Sequence, residues 1–184
     1  VTGNLTIYYN QKQLKLRDFR GPDFFVVLGA KNRDRKSWFI WEENGQYPHV
    51  IVELLSDSTA KVDRGLKKQL YQDIFRTPDY FWFHPHTLEF AGFHLEEGEY
   101  QPIVPNDQGH LWCQSLGLFL GIAANNLHLF TATGEKILLP EEAEYHRAET
   151  ERQRAETERQ RAEIAEAKVA ALLARLQQAG LDQD

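Results

Sequence analysis

The sequence predicts a mixed α/β fold in which an extensive sheet is accompanied by few helices. Short apolar or β-rich segments separated by turn residues recur from residue 5 to residue 130. One segment with helical periodicity, residues 61–75, stands among them, and a polar heptad repeat closes the chain. With 184 residues, 42% of them hydrophobic, the chain is long enough for one domain with a real core.

Residues 5–9 and 14–16 are β-rich pieces on either side of Asn10-Gln11-Lys12-Gln13, which predicts a hairpin, and Arg20-Gly21-Pro22 predicts a turn. Phe24-Phe25-Val26-Val27-Leu28 is a continuous apolar run between turn residues, as expected of a strand covered on both faces, with Asp23 at its start. Residues 31–36 form a polar loop with four basic side chains, Lys31, Arg33, Arg35 and Lys36, either a solvated connector or a phosphate-contacting loop. A short strand at 38–41 and a turn at Asn44-Gly45 follow.

Val50-Ile51-Val52-Glu53-Leu54-Leu55 is the strongest strand signal, and Ser56-Asp57-Ser58-Thr59 supplies N-cap residues for a helix over 61–75. On that helix Val62, Leu66, Leu70 and Ile74 recur at i,i+4 and predict the buried stripe. Asp63, Lys67, Tyr71 and Phe75 form the adjacent row, which places Lys67 to reach back over the sheet edge and turns Lys68 toward solvent. After Thr77-Pro78, further short strands are expected at 80–83, 88–95, 100–104, 116–120 and 127–130, with a polar turn at 106–109.

Residues 148–154, Ala-Glu-Thr-Glu-Arg-Gln-Arg, repeat letter for letter at 155–161, which is a heptad. One seam position carries Ala148, Ala155, Ala162, Val169 and Leu176, and the other Glu151, Glu158, Ala165, Leu172 and Ala179, so only the second half has an apolar seam. Both a self-associating coiled coil and a lone solvated helix fit this pattern. The domain expectation is therefore a body over 1–140 and a charged helical or coiled-coil tail over 141–184.

The tail holds 7 basic and 11 acidic side chains, leaving 14 of 21 basic and 16 of 27 acidic ones in residues 1–140, so the body is close to neutral. Bulk charge therefore shows no broad nucleic-acid footprint. The single cysteine, Cys113, excludes an internal disulfide and favours a reducing, cytoplasmic setting. No apolar stretch reaches the roughly 18 residues of a membrane span, and Val1-Thr2-Gly3-Asn4 has neither the basic n-region nor the long apolar h-region expected of a leader. Methionine is absent even at position 1, so the chain is expected to be trimmed or to begin partway into a longer protein.

The chemically informative residues are Asp23, Glu53 and Lys67. A glutamate inside the run Val50–Leu55 costs several kcal/mol, as an order of magnitude, unless a metal, a cation or a proton compensates it. Two carboxylates can hold Mg²⁺ or Mn²⁺ through oxygen, and a nearby lysine can neutralise charge developing at a phosphate. Each residue also has a bland reading. Asp23 could be a turn residue after proline, Glu53 an edge-strand residue paired with Lys61 or Arg64, and Lys67 an aliphatic stem with its ammonium in solvent. Ser56 and Ser58 read as N-cap residues without a nucleophile elbow, and His84 and His86 as turn residues at a strand end.

The strings Gly21-Pro22-Asp23-Phe24-Phe25-Val26-Val27, Pro48-His49-Val50-Ile51-Val52-Glu53-Leu54-Leu55-Ser56-Asp57-Ser58-Thr59, Asp63 with Lys67 and Tyr71, and Pro78-Asp79-Tyr80-Phe81 resemble the bacterial Uma-type family, whose members are assigned as endonucleases. That family belongs to the PD-(D/E)xK restriction-endonuclease-like superfamily. The resemblance covers about residues 5–140 and implies a central mixed sheet flanked by helices. It implies Asp23 and Glu53 as metal ligands, the Leu54 carbonyl as a further ligand, Lys67 as the active-site lysine, Mg²⁺ or Mn²⁺ as cofactor and DNA as partner. In the superfamily pattern the lysine stands two residues after the glutamate, where this chain has Leu55; the resemblance moves it to the helix. The family also tends to carry a helix before the first hairpin, and nothing corresponding precedes Leu5. The alternative expectation is a catalytically silent nucleic-acid-binding or scaffold module that oligomerises through the tail.

Overall fold

β-Branched and aromatic residues build the strands β1 (Thr2–Gly3), β2 (Thr6–Tyr8), β3 (Phe19–Arg20), β4 (Phe24–Val26), β5 (Ser37–Phe39) and β6 (Val50–Leu54), followed after a helix by β7 (Asp79–Phe83), β8 (Phe90–Glu96), β9 (Glu99–Pro102), β10 (Leu111–Cys113), β11 (Leu118–Ala123) and β12 (Asn126–Phe130). The computed structural model describes residues 2–3, 5–10, 19–31, 33–58, 60–178 and 180. The chain divides into two units, Val1–Ile137 and Leu138–Asp184.

In the first unit six strands form a mixed sheet in the order β1-β4-β6-β7-β8-β9, with β6 and β7 parallel and the other neighbours antiparallel. Parallel neighbours need a crossover, and the helix over residues 60–75 supplies it. Both faces of the sheet are covered, which is why Val50-Ile51-Val52 and Tyr80-Phe81-Trp82-Phe83 read as continuous apolar runs. On one face Phe25, Ile51, Tyr80 and Trp82 pack with Tyr71 and Phe75 of the helix and with Ile7 and Trp38 of the small sheet β3-β2-β5. On the other, Val26, Val50, Val52 and Phe81 pack with Leu111, Cys113 and Leu120 of the sheet β10-β11-β12.

The mixed α/β reading holds, and one local reading changes. The chain returns beside β2 through β3, pairing Tyr8 with Phe19; the strand predicted at 14–16 lies outside the described residues. The helix faces the other way. Of the predicted buried stripe, Val62, Leu66 and Ile74 are 48%, 62% and 50% exposed and Leu70 alone packs, partly buried, against the core, whereas Asp63, Tyr71 and Phe75 are buried. Tyr71 and Phe75 bring more apolar area to the core than valine and isoleucine. The polar members of that row pair with one another and with Glu53. The helix alternates α-turns, Ala60–Val62 and Lys68–Leu70, with wider π-turns, Asp63–Lys67 and Tyr71–Phe75. Closing i to i+5 lessens the rotation per residue, so residues four apart stack more nearly in a straight row. Arg76 ends it in the left-handed region at φ 53°, with the Thr77 N–H bonded to the Tyr71 carbonyl at 3.0 Å.

Gly92, paired with Phe81 across β7 and β8, lets the Phe81 ring lie against the backbone: a Cβ there would sit 2.5 Å from two ring carbons. Gly92→Ala is expected to destabilise the first unit by about 1–3 kcal/mol through overpacking, read as a lower midpoint in chemical denaturation.

The second unit is dominated by one helix, Pro140–Gln178, about 58 Å long at 1.5 Å per residue. Proline at its first position and the Glu142 carboxylate accepting the Leu139 N–H at 2.9 Å define its start. Arg159 pairs with Glu163 at 3.1 Å. The side chains of the apolar seam, Val169, Leu172 and Leu176, are exposed. No helix among the described residues is long and apolar enough to cross a membrane.

Candidate active site

The antiparallel register of β4 on β6 pairs Phe24 with Val52, and this brings the two residues one step further, Asp23 and Glu53, side by side although 30 positions separate them. The Asp23 N–H donates to Glu53 Oε2 at 3.4 Å, and the Leu54 N–H donates to Asp23 Oδ2 at 2.7 Å. Glu53 is fully buried in a central strand, paired in register with Trp82 of β7. The edge-strand reading of Glu53 is thereby corrected, and Arg64 pairs with Glu89 instead.

The helix row then closes over these carboxylates. Lys67 Nζ lies 3.1 Å from Glu53 Oε1 and 2.7 Å from Asp63 Oδ1. The Tyr71 hydroxyl donates to Glu53 Oε1 at 2.7 Å, and the Tyr80 hydroxyl donates to the Asp63 carbonyl at 2.9 Å, tying the helix to β7. All four residues singled out in the sequence, Asp23, Glu53, Leu54 and Lys67, thus meet at the C-terminal end of β6. Lys68, expected in solvent, instead lies over the Phe93 ring at 3.5 Å, away from the carboxylates. Leu55 is a core residue whose N–H bonds to the Phe83 carbonyl, so the strand position two after Glu53 faces apolar packing and the cation comes from the helix.

Burial pushes the Glu53 carboxyl up to about 7, against the opposing pull of the Lys67 charge and the Tyr71 hydroxyl. Burial also works against the Lys67 ammonium, but Glu53 and Asp63 outweigh it and the net shift is upward, so the lysine stays charged. Tyr71 is raised by burial and then by the Glu53 charge, and remains a phenol that can donate. Asp63 and Tyr71 are the two members that sequence reasoning placed on the row without a role. Their signal is the spacing Asp63, Lys67, Tyr71, which sets an acid and a hydroxyl one turn to either side of the lysine.

A family model described as Uma2, putative restriction endonuclease, matches residues 1–126. The chain belongs to the Uma2 family. No curated protein matches it. The Uma2 match covers all of β1 to β11 and the whole Asp23–Glu53–Lys67 constellation, and the mixed sheet is that of a restriction-endonuclease-like fold. For a Uma2 chain the donor chemistry fits a hard divalent ion. Asp23 and Glu53 each commit one oxygen to a short hydrogen bond, leaving the other less engaged. Mg²⁺ needs only one or two carboxylates, with water and phosphate oxygens completing its shell. Among the described residues no cluster of three or more His, Cys, Asp or Glu is spaced to hold an ion. His84 is a buried turn residue whose Nδ1 accepts the His86 and Thr87 N–H groups at 3.3 Å.

Proposed function

We propose that this chain is a Mg²⁺- or Mn²⁺-dependent endonuclease that hydrolyses DNA phosphodiester bonds, with Asp23, Glu53 and the Leu54 carbonyl as metal ligands and Lys67 as the catalytic cation. The observation that carries this reading is a fully buried glutamate held beside a second carboxylate and a lysine at 3.1 Å. A carboxylate withdrawn from water in this way is a functional-site candidate, which supports the reading. A divalent ion bound there would supply Lewis-acid charge to the scissile phosphate.

The chain's own residues do the rest. Lys67 is 20% exposed, which leaves its ammonium a route to a phosphate oxygen or to the attacking water. Asp63 holds that ammonium at 2.7 Å and keeps it from collapsing onto Glu53 alone. The Leu54 N–H orients Asp23 toward its neighbour. Dipoles and charges fixed before substrate arrives need no reorganisation during the reaction, which is the main source of rate enhancement in such sites.

One observation favours the silent binding module as a second reading. Arg33 and Arg35 of the basic loop share the single carboxylate of Glu43, at 2.6 and 2.7 Å, so two of its four cations are already engaged within the protein. The tail is proposed as a separate helical segment over 141–184 through which copies could assemble. Incubation with supercoiled plasmid DNA separates the readings. Nicking that requires Mg²⁺ or Mn²⁺ and stops with chelator is the expected result; retained DNA binding without nicking under either ion supports the silent module.

A further inference from the structure

The two oxygens of Glu53 are held unequally. Oε1 accepts the Tyr71 hydroxyl at 2.7 Å and lies 3.1 Å from Lys67 Nζ, while Oε2 meets the Asp23 N–H at the long distance of 3.4 Å. Asp23 shows the same partition, its Oδ2 taken by the Leu54 N–H at 2.7 Å. We propose that Tyr71 is a positioning residue that makes Glu53 a one-oxygen ligand through Oε2 and so selects Mg²⁺ or Mn²⁺ over Ca²⁺. This inference rests on the reading of Asp23 and Glu53 as metal ligands.

The selection follows from what each ion demands. Ca²⁺ takes 6–8 oxygens and readily accepts both oxygens of a carboxylate, whereas Mg²⁺ takes one oxygen per carboxylate in a tight octahedron. A site in which each carboxylate has one oxygen engaged by a donor suits the smaller ion. Tyr71 can impose this because its ring is packed in place. It is fully buried, 5.3 Å from the Phe75 ring and 5.4 Å from the Tyr80 ring, and this packing holds its hydroxyl on Oε1. A hydroxyl that only satisfied a buried carboxylate would affect stability without affecting the choice between ions.

Calorimetric titration of the full chain with Mn²⁺ and, separately, with Ca²⁺ tests this in the parent and in Tyr71→Phe. The variant is expected to bind Mn²⁺ about tenfold more weakly, the usual scale for losing an outer partner of a metal ligand. Its Ca²⁺ affinity is expected to hold or rise, so the ratio of affinities moves about tenfold toward Ca²⁺. An unchanged ratio, with Mn²⁺ still bound, overturns the role of Tyr71 and leaves the metal site standing. No Mn²⁺ binding by the parent overturns the metal site and this inference with it. Should Tyr71→Phe fail to fold, Lys67→Met removes the other donor to Oε1; a ratio shifted the same way supports the partition, and a constant ratio refutes it.

Discussion

Glu53→Gln abolishes divalent-ion binding and DNA cleavage while leaving the fold in place; this is the largest effect expected of any single substitution. Glutamine keeps the shape and an acceptor for the Tyr71 hydroxyl at 2.7 Å, but it removes the charge that would hold the ion. The same variant reports on the buried carboxyl itself. The unfolded chain releases this proton near 4.5, whereas burial holds it in the folded protein up to about 7. The folded state therefore binds more protons between these values, and stability falls as pH rises through that window, by about 3 kcal/mol in the metal-free protein. Glu53→Gln removes that slope. Denaturant titrations at pH 5 and pH 8 in the presence of chelator measure it, and equal pH dependence in parent and variant contradicts the account.

Lys67→Met is expected to lower cleavage by about 100- to 1,000-fold, the scale for removing one preorganised charge from a reacting site. It also strips Glu53 and Asp63 of the cation that lies 3.1 and 2.7 Å from them. Leaving buried carboxylates without a counter-charge costs about 3–5 kcal/mol, so Lys67→Met is also destabilised, and less so at acid pH where Glu53 holds its proton. Lys68→Met is the control: it loses its place over the Phe93 ring yet keeps cleavage within about twofold. Rates of plasmid nicking for the two variants at saturating Mn²⁺ decide between the lysines. A Lys68 variant as slow as the Lys67 variant overturns the assignment.

The sheet was legible because its runs are apolar on both faces, and the turns between them carry residues such as Asn44-Gly45 that accept positive φ. Glu53 was legible because a charge within the apolar run Val50–Leu55 is costly unless a metal, a cation or a proton compensates it, whichever strand position it takes. What periodicity could not show was the direction in which the helix turns. Val62, Leu66 and Ile74 look like a core stripe, and nothing local says that Asp63 and Lys67 can enter instead by pairing with each other and with a strand residue. That solution depends on Glu53 arriving from β6, a contact between residues 14 positions apart, and on the π-turns that align the row. The ring contact of Lys68 was hidden for the same reason, since Phe93 arrives from β8.

A crystal of the full chain soaked in Mn²⁺ tests the central claim most directly, through the anomalous signal of the ion. The account predicts one peak between Asp23 and Glu53, bonded to Glu53 through Oε2, with Tyr71 still on Oε1. Ordered Mn²⁺ elsewhere, with Lys67 closing the gap between the two carboxylates and no peak there, would contradict it.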